Sequence, residues 1–288
     1  MLVPRQNTSF DAQMKKAVEK QIMSGKLIQG DCRNALKAYP DNHFQLIIAD
    51  PPYYQVLLKE DWDMAWKNEE DYMNWCAEWA TECHRTMKDD GLFYIFGQHG
   101  KREHVWIHLC SMLSSKFQFH DLIVWDRAVG YNERYDSFTP QYEMILVLRK
   151  SKEAKPYFNK DAVRIPYDEE TIKSYLRDKR YKDLNAREEH LRKGKYATNI
   201  IRVPSLKGSS GEKVGHPSQK PVALIQKLIA SSSRPGDTVL DPFLGSGTTA
   251  ECAETLGRKW VGVEFSEDYC KMIAARMKAL KIEDELNL

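Results

Sequence analysis

The segment LIIADPPYYQ, residues 46–55, places a carboxylate, two prolines and two tyrosines directly after a run of apolar residues. The apolar run is typical of a buried strand, and the prolines fix the backbone of the turn that follows it. A turn by itself would account for Asp50, Pro51 and Pro52. The alternative is a site in which the carboxylate and the ring of Tyr53 act on a bound molecule, and the rest of the sequence decides between the two.

A second candidate site opens a helix after the strand DTVLD, in the segment DPFLGSGTTA at 241–250. Gly245 and Gly247 fit the G-x-G-x-x-G/A pattern of dinucleotide-binding loops, and Glu264 follows at the end of the next strand. Asp241 argues against a dinucleotide, because a carboxylate beside the loop repels phosphate and attracts an ammonium. The charge pattern therefore favours S-adenosylmethionine (SAM), which has an ammonium and a sulfonium but no phosphate.

Each part of this loop has a predicted task toward SAM. Gly245 and Gly247 let the backbone approach the ligand closely. The first amides of the helix, with Ser246 and Thr248, suit the methionine carboxylate. Glu264 can accept hydrogen bonds from both ribose hydroxyls.

The elements that position these residues alternate along the chain. The strands are predicted at 26–31, 44–50, 91–97, 119–126, 142–150, 237–241 and 259–265, and the helices at 11–23, 69–87, 221–231, 248–257 and 267–280. Such alternation predicts a doubly wound, mostly parallel sheet. The aromatic residues of the helix at 69–87 recur at helical spacing and are interpreted as core. Asp50 and Asp241 should then meet at the carboxyl edge of the sheet, where open α/β folds bind ligands.

Composition indicates a globular chain without a membrane span. Its 288 residues are 42% hydrophobic and 29% charged, and no apolar run reaches the length of a membrane helix. The six cysteines form no CxxC pair and predict reduced thiols in a cytosolic protein. His104 and His108 have metal-like spacing but no third ligand, so no metal is predicted.

Charge is distributed unevenly. Between Arg149 and Lys220 there are 19 lysines and arginines against 10 acidic residues, a balance of +9, which leaves −7 for the rest because the whole chain carries +2. Residues 150–215 also break the strand–helix alternation and are rich in turn residues. We interpret them as an inserted module with a polyanion-binding surface.

The motifs together resemble the amino-methyltransferases of DNA. DPPY at 50–53 precedes DPFLGSG at 241–247, an order similar to that of the beta class, and GHPSQKP at 215–221 also fits. DWD at 61–63 fits the family as well, and AVRIPYDEET at 162–171 resembles adenine methyltransferases of the RsrI kind. The resemblance spans about residues 26–275.

The resemblance implies a class I SAM-dependent methyltransferase fold, with a circularly permuted, seven-stranded, mostly parallel sheet and an inserted target-recognition segment. It divides the chain into an N-terminal helical extension (1–25), a catalytic half (26–149), the insertion (150–215) and a SAM-binding half (216–288). It places Asp31 and Cys32 at the cofactor adenine, and Lys220 with the glycine loop near the carboxylate end. Asp50 and Phe243 are also expected among the cofactor-binding residues. Tyr54 stands where the family usually has asparagine.

The DPPY segment suits the methylation of an amine on a base. Asp50 and the carbonyl of Pro51 can accept both N–H hydrogens of the amine, which frees its lone pair for in-line attack on a methyl group. Pro51 and Pro52 fix the direction of that carbonyl. Tyr53 offers a ring on which a base extracted from the duplex can stack.

Asp50 and the RsrI-like stretch favour adenine N6 in duplex DNA. Cytosine N4, adenine in RNA, and a non-catalytic SAM-sensing DNA-binding protein remain as alternatives. The candidates for DNA contact are Tyr131, Arg134, Tyr135, Arg177, Lys179, Arg180 and Arg187. The resemblance further implies a cytoplasmic protein of a prokaryote or phage, and leaves open a homodimer and a cognate restriction endonuclease as partners.

Overall fold

A mostly parallel sheet organises the chain. The computed structural model describes residues 25–55, 63–98, 103–130, 133, 135–178, 180 and 182–286. The strands are β1 (Gly25–Gln29), β2 (Phe44–Ala49), β3 (Met87–Gly97), β4 (Gln118–Asp126), β5 (Tyr142–Arg149), β6 (Ile200–Arg202), β7 (Thr238–Asp241) and β8 (Lys259–Glu264). They form one sheet in the order β1-β8-β7-β2-β3-β5-β4-β6, in which β5 alone runs antiparallel to its neighbours.

Helices cover both faces of the sheet. They are α1 (Cys32–Ala35), α2 (Glu69–Thr86), α3 (Glu103–Lys116), α4 (Glu169–Leu176), α5 (Leu184–Arg192), α6 (Val222–Ser232), α7 (Thr248–Thr255) and α8 (Glu267–Leu286). One core packs α1, α2 and α3 against the sheet, and the other packs α6, α7 and α8. Because both faces are covered, the central strands are mainly apolar: all six residues of β2 are buried, and all but Gln45 are apolar.

The predicted strands and helices are present in the described residues, with three differences. Strand β3 begins at Met87 directly after α2, so that Lys88, Asp89 and Asp90 belong to the strand and not to a loop. The last helix extends beyond 280 to Leu286. The sheet has eight strands where seven were expected, because β6 adds a short strand at its edge. The helix predicted at 11–23 lies outside the described residues.

The segment 150–215 departs from the strand–helix alternation, as its sequence predicts. It contains a 3-10 turn (Lys160–Val163), the short helices α4 and α5, and β6, which pairs in parallel with β4. The segment is therefore attached to the edge of the sheet by backbone hydrogen bonds. None of the helices described is both long enough and apolar enough to cross a membrane.

Candidate active site

Four neighbouring strands end in or just before acidic residues. Glu264 and Asp241 are the last residues of β8 and β7, Asp50 directly follows β2, and Asp31 lies two residues beyond β1. These strands are adjacent and parallel in the order β1, β8, β7, β2. The four carboxylates therefore lie along the carboxyl edge of the sheet, where Asp50 and Asp241 were expected to meet.

The larger cavity at this edge, the cofactor-side cavity, has a volume of about 560 Å³. Its charged lining consists of one arginine, Arg33, and four acids, Asp31, Asp71, Glu78 and Glu264, and its apolar wall includes Trp66, Trp75 and Phe243. Asp241 lies in a smaller adjoining cavity that Asp50 and Gly245 also line. Burial lowers the pKa of His216, another wall residue, to about 4, so the ring is neutral at pH 7. An acidic, partly aromatic cavity suits a cation with an adenine ring and does not suit a diphosphate. The residues present thus fit SAM.

Asp31 and Cys32, which were predicted to contact the cofactor adenine, line the cofactor-side cavity. Asp31 caps α1, accepting a hydrogen bond from the Arg33 backbone N–H at 2.8 Å and pairing with the Arg33 side chain at 2.6 Å. Cys32 is buried and lines the same wall. Phe243 packs against Trp75, with ring centroids 5.5 Å apart.

Asp241 and Glu264 are both buried, and they accept hydrogen bonds from different backbone groups. Burial raises the pKa of Asp241 to about 7, although the hydroxyl of Thr249 and the backbone N–H of Phe243 stabilise its anion. Burial also raises the pKa of Glu264. The Glu264 carboxylate accepts backbone N–H bonds from Gly245 and Ser266, both at 2.8 Å. Glu264 therefore fixes the glycine loop as well as facing the cofactor-side cavity.

The glycine loop depends on conformations that favour glycine. Gly245 and Gly247 have φ of 52° and 79°, and a Cβ at Gly245 would lie 3.1 Å from the ring of His216. The hydroxyls of Ser246 and Thr248 lie 3.0 Å apart, and Thr248 donates to the carbonyl of Lys220. Both hydroxyls thus have partners within the protein, as do the N–H of Gly245 and the carbonyl of Ser246.

A second cavity of about 290 Å³, the target-side cavity, lies on the other side of the DPPY segment. Asp50, Pro51, Pro52 and Tyr53 line it, together with Arg127, Glu143 and Lys220 among others. Pro52 lines both cavities. The DPPY segment is therefore the wall between them, where a group transferred from one bound molecule to another would have to pass.

Asp50 is held by two neighbours. Its Oδ1 accepts a hydrogen bond from the Tyr53 hydroxyl at 2.5 Å, and its Oδ2 pairs with Lys220 Nζ at 2.6 Å. Burial lowers the pKa of Lys220, but the carboxylates of Asp50 and Glu143 outweigh burial and leave it raised, so the ammonium stays charged. Lys220 lies by the glycine loop, where the resemblance places it, and also reaches the target-side cavity.

The turn after DPPY is braced from α2. The Tyr72 hydroxyl donates to the carbonyl of Pro52 at 2.8 Å. Tyr54 has φ of 59°, a left-handed conformation that asparagine tolerates better than tyrosine. Its ring is buried and packs 5.3 Å from that of Tyr72. Burial of the ring offsets the strained backbone, which gives a physical reason why tyrosine can replace the family's asparagine here.

Three further residues contribute to the site without having been predicted. Tyr72 and Trp75 were interpreted as core; Tyr72 is indeed buried, but it braces Pro52, and Trp75 lines the cofactor-side cavity. Arg276, on α8, donates to the Ser246 carbonyl at 2.9 Å. The arginine lies in the apolar pattern between Ile273 and Met277, and a charge on a buried helix face was the signal available in the sequence.

The candidate DNA-contacting residues lie on the insertion and on the loop after β4. Tyr135 is fully exposed, as are Arg177 and Arg180 in large part, and Arg187 is half-buried. Arg180 pairs with Asp178 at 2.6 Å. Tyr131, Arg134 and Lys179 lie outside the described residues.

His104 and His108 both contact the Glu69 carboxylate, at 3.0 and 2.7 Å. The described residues contain no group of three side chains arranged to hold a metal ion.

The chain is similar in sequence to known DNA methyltransferases. A sequence model of the family described as DNA methylase matches residues 44–275. DNA adenine methyltransferase YhdJ of Escherichia coli (strain K12) is 32% identical over 252 residues, covering 87% of this chain and 82% of that protein.

Two solved structures share the fold. The PvuII DNA methyltransferase (cytosine-N4-specific) has a TM-score of 0.65 at 19% identity, covering 87% of this chain and 85% of that one. The M1.HpyAVI–SAM complex has a TM-score of 0.59 at 23% identity, covering 88% and 98%. These likenesses confirm the predicted class I methyltransferase fold.

Proposed function

The chain belongs to the DNA methylase family, and from that premise we propose that it transfers the methyl group of SAM to the N6 amine of adenine in double-stranded DNA. The observation that carries the proposal is the position of Asp50 in a polar cavity that shares Pro52, two residues further along the chain, with an acidic cavity. When bound, SAM supplies an electrophilic methyl group. Asp31, Asp241, Glu264 and the glycine loop would hold it on the cofactor side.

The protein's own residues prepare the target amine. A base extracted from the duplex enters the target-side cavity and stacks on Tyr53. Asp50 and the carbonyl of Pro51 accept its N–H hydrogens, which localises the lone pair on nitrogen. Tyr72 holds the Pro52 carbonyl at 2.8 Å and so limits movement of the turn that carries these acceptors.

The choice of adenine rests on two observations. Cytosine N4 enzymes of this family usually have serine where Asp50 stands, and the curated relative YhdJ is named an adenine methyltransferase. A likeness to a cytosine-N4-specific structure at 19% identity concerns the fold and gives cytosine no stronger support. Adenine in RNA is the second candidate, since the same acceptors would serve it.

Each segment of the chain has a proposed role. Residues 150–215 act as the target-recognition insertion between the catalytic part (26–149) and the SAM-binding part (216–288), with residues 1–25 as an extension. The protein acts on cytoplasmic DNA, as a homodimer or beside a cognate endonuclease where the system has one.

Modification-sensitive sequencing of DNA from cells that express the protein tests the base, position and sequence context together. We expect N6-methyladenine at one short motif. Methyl groups on cytosine N4, or on RNA alone, would support an alternative substrate, and no turnover with labelled SAM would support a sensor.

The Asp50→Ala variant tests the catalytic assignment. Methyl transfer should be lost while SAM binding, measured by calorimetry, survives. Tyr53→Ala should impair turnover more than Tyr53→Phe, because stacking needs only a ring. An Asp50→Ala enzyme that methylates at a near wild-type rate would contradict the role.

A further inference from the structure

Glu143, on β5, adds a buried carboxylate to the wall of the target-side cavity. Only 8% of the residue is exposed, yet its Oε2 accepts no hydrogen bond from any described residue. Its Oε1 faces Arg127, whose Nη1 lies 3.3 Å away. A buried carboxylate oxygen without a donor is costly. The position of Glu143 in the target-side cavity points to a hydrogen-bond donor that reaches Oε2 in another state of the site.

Lys220 is placed to be that donor. Its Nζ lies 3.6 Å from Glu143 Oε2 and 2.6 Å from Asp50 Oδ2, so the ammonium stands between two carboxylates. Hydrogen bonds of this kind are about 2.8 Å long, and a shift of about 1 Å would therefore transfer Lys220 from Asp50 to Glu143. The lysine side chain is flexible enough for such a shift.

Such a shift would strengthen the hydrogen bond between Asp50 and an amine. Tyr53 and Lys220 each occupy one of its two carboxylate oxygens. An ammonium on Oδ2 competes with the N–H of a target amine for the same negative charge. Simple loss of Lys220 from Asp50 would leave a buried ammonium unpaired, which is strongly unfavourable. A second carboxylate removes that cost.

We propose that Glu143 is a positioning residue that draws the Lys220 ammonium from Asp50 when the target amine enters, so that Asp50 Oδ2 accepts an amine N–H. The inference rests on the proposed function and adds a residue that the sequence motifs do not contain. The Lys220 ammonium lies beside a carboxylate both before and after the exchange, and no covalent bond changes. Arg127 holds the other oxygen of Glu143 and keeps its carboxylate in the cavity.

The Glu143→Gln variant keeps the shape of the side chain and removes its charge. Lys220 should then remain on Asp50, and the single-turnover rate of methyl transfer should fall ~10–100-fold, the equivalent of one hydrogen bond to a charged group. SAM affinity should stay within about twofold of wild type. Glu82→Gln is the matched control, because Glu82 also pairs with an arginine, Arg85, but lines neither cavity. This control should methylate normally.

An equilibrium measurement separates this role from a structural one. Duplexes with the recognised site would carry either adenine or purine, which lacks the exocyclic amine, at the target position. Wild type should bind the adenine duplex more tightly by ~10-fold, and Glu143→Gln should lose that preference without weakening its affinity for purine. Glu143→Asp keeps the charge and should retain part of the preference for adenine. This variant tests the proposal if Glu143→Gln does not fold.

The proposal is overturned if Glu143→Gln keeps both the wild-type rate and the preference for adenine. It is also overturned if that variant loses affinity for the two duplexes equally. Failure of the proposed function is a different result, because the wild-type protein would then methylate no adenine.

Discussion

Asp50 and Asp241 carry the same functional group at the ends of adjacent strands, but their surroundings differ. Asp50 faces the Lys220 ammonium at 2.6 Å, whereas Asp241 is buried beside two further carboxylates, Asp50 and Glu264. In the first arrangement an ammonium already pairs with the carboxylate and has to move before an amine can take its place, and in the second, burial penalises charge until a cation arrives. The environment of each acid, and not its chemical type, would therefore separate the proposed target binding from the proposed cofactor binding.

The raised pKa of Asp241 predicts two pH trends of opposite sign. The folded protein holds this carboxyl with a pKa of about 7, above the ordinary value, so the fold is more stable with the carboxyl protonated, and that stability is lost as pH rises from about 4 through 7. Affinity for cationic SAM should instead rise between pH 6 and pH 8, by up to about tenfold per pH unit below the pKa, because binding favours the anion. Thermal unfolding from about pH 4 to 8 measures the first trend, and calorimetric titration with SAM from about pH 6 to 8 measures the second.

The isosteric Asp241→Asn variant provides the control for those trends. It has no proton to lose, so its SAM affinity should be weak and should vary less with pH, and its stability should exceed that of wild type at pH 8. A wild-type affinity that falls toward pH 8 would show that Asp241 does not bind the cation.

Helix α2 shows how an element of the core can set the geometry of a site. Asn68 caps its N-terminus, where its side chain accepts a hydrogen bond from the Asp71 backbone N–H at 2.8 Å, and the helix buries Tyr72, Trp79 and Cys83. The same helix face directs the Tyr72 hydroxyl to the Pro52 carbonyl. The packing of α2 on the sheet therefore also positions the DPPY turn.

Tyr72→Phe is expected to slow methyl transfer several-fold, because one hydrogen bond of ~1 kcal/mol that fixes the turn is removed. SAM affinity should change little. Tyr94→Phe is the matched control: its hydroxyl also makes one buried hydrogen bond, at 2.6 Å to Ser232, but on the other face of the sheet. It should lose comparable stability in urea unfolding while keeping its rate. Equal loss of rate in the two variants would contradict a special role for Tyr72.

The sequence was most informative where structure is local. Strand β2 and its terminal Asp50, and β7 with the glycine loop, follow from apolar patterns and turn residues that a window of ten residues contains. Contacts that join distant segments, such as Lys220 with Asp50 or Tyr72 with Pro52, depend on the order of the strands in the sheet. A short stretch of sequence does not reveal that order. The short β6 has three residues, too few for a periodic pattern.

The excess of basic residues in the molecule lies in the insertion, residues 150–215. Arg149 and Lys220, at the ends of the basic stretch, are engaged inside the fold, with the Ala154 carbonyl and with Asp50. Residues 150–215 alone still have 17 basic residues against 10 acidic ones, while the charged residues that line the cofactor-side cavity are four acids and one arginine. A polyanion should therefore be attracted to one part of the surface and repelled from the cofactor-side cavity.

Replacement of Arg177, Lys179, Arg180 and Arg187 by glutamine should weaken DNA binding and flatten its dependence on salt. Each phosphate contact that is lost should lower the slope of log K against log salt by about one. SAM affinity should not change. The matched control replaces four exposed lysines outside the insertion and so removes the same formal charge: Lys37, Lys259, Lys271 and Lys278. If only total charge mattered, both variants would lose the same slope in fluorescence anisotropy titrations from about 50 to 200 mM salt. We expect the loss in the insertion variant alone, because its positive charges lie on the segment proposed to hold the duplex.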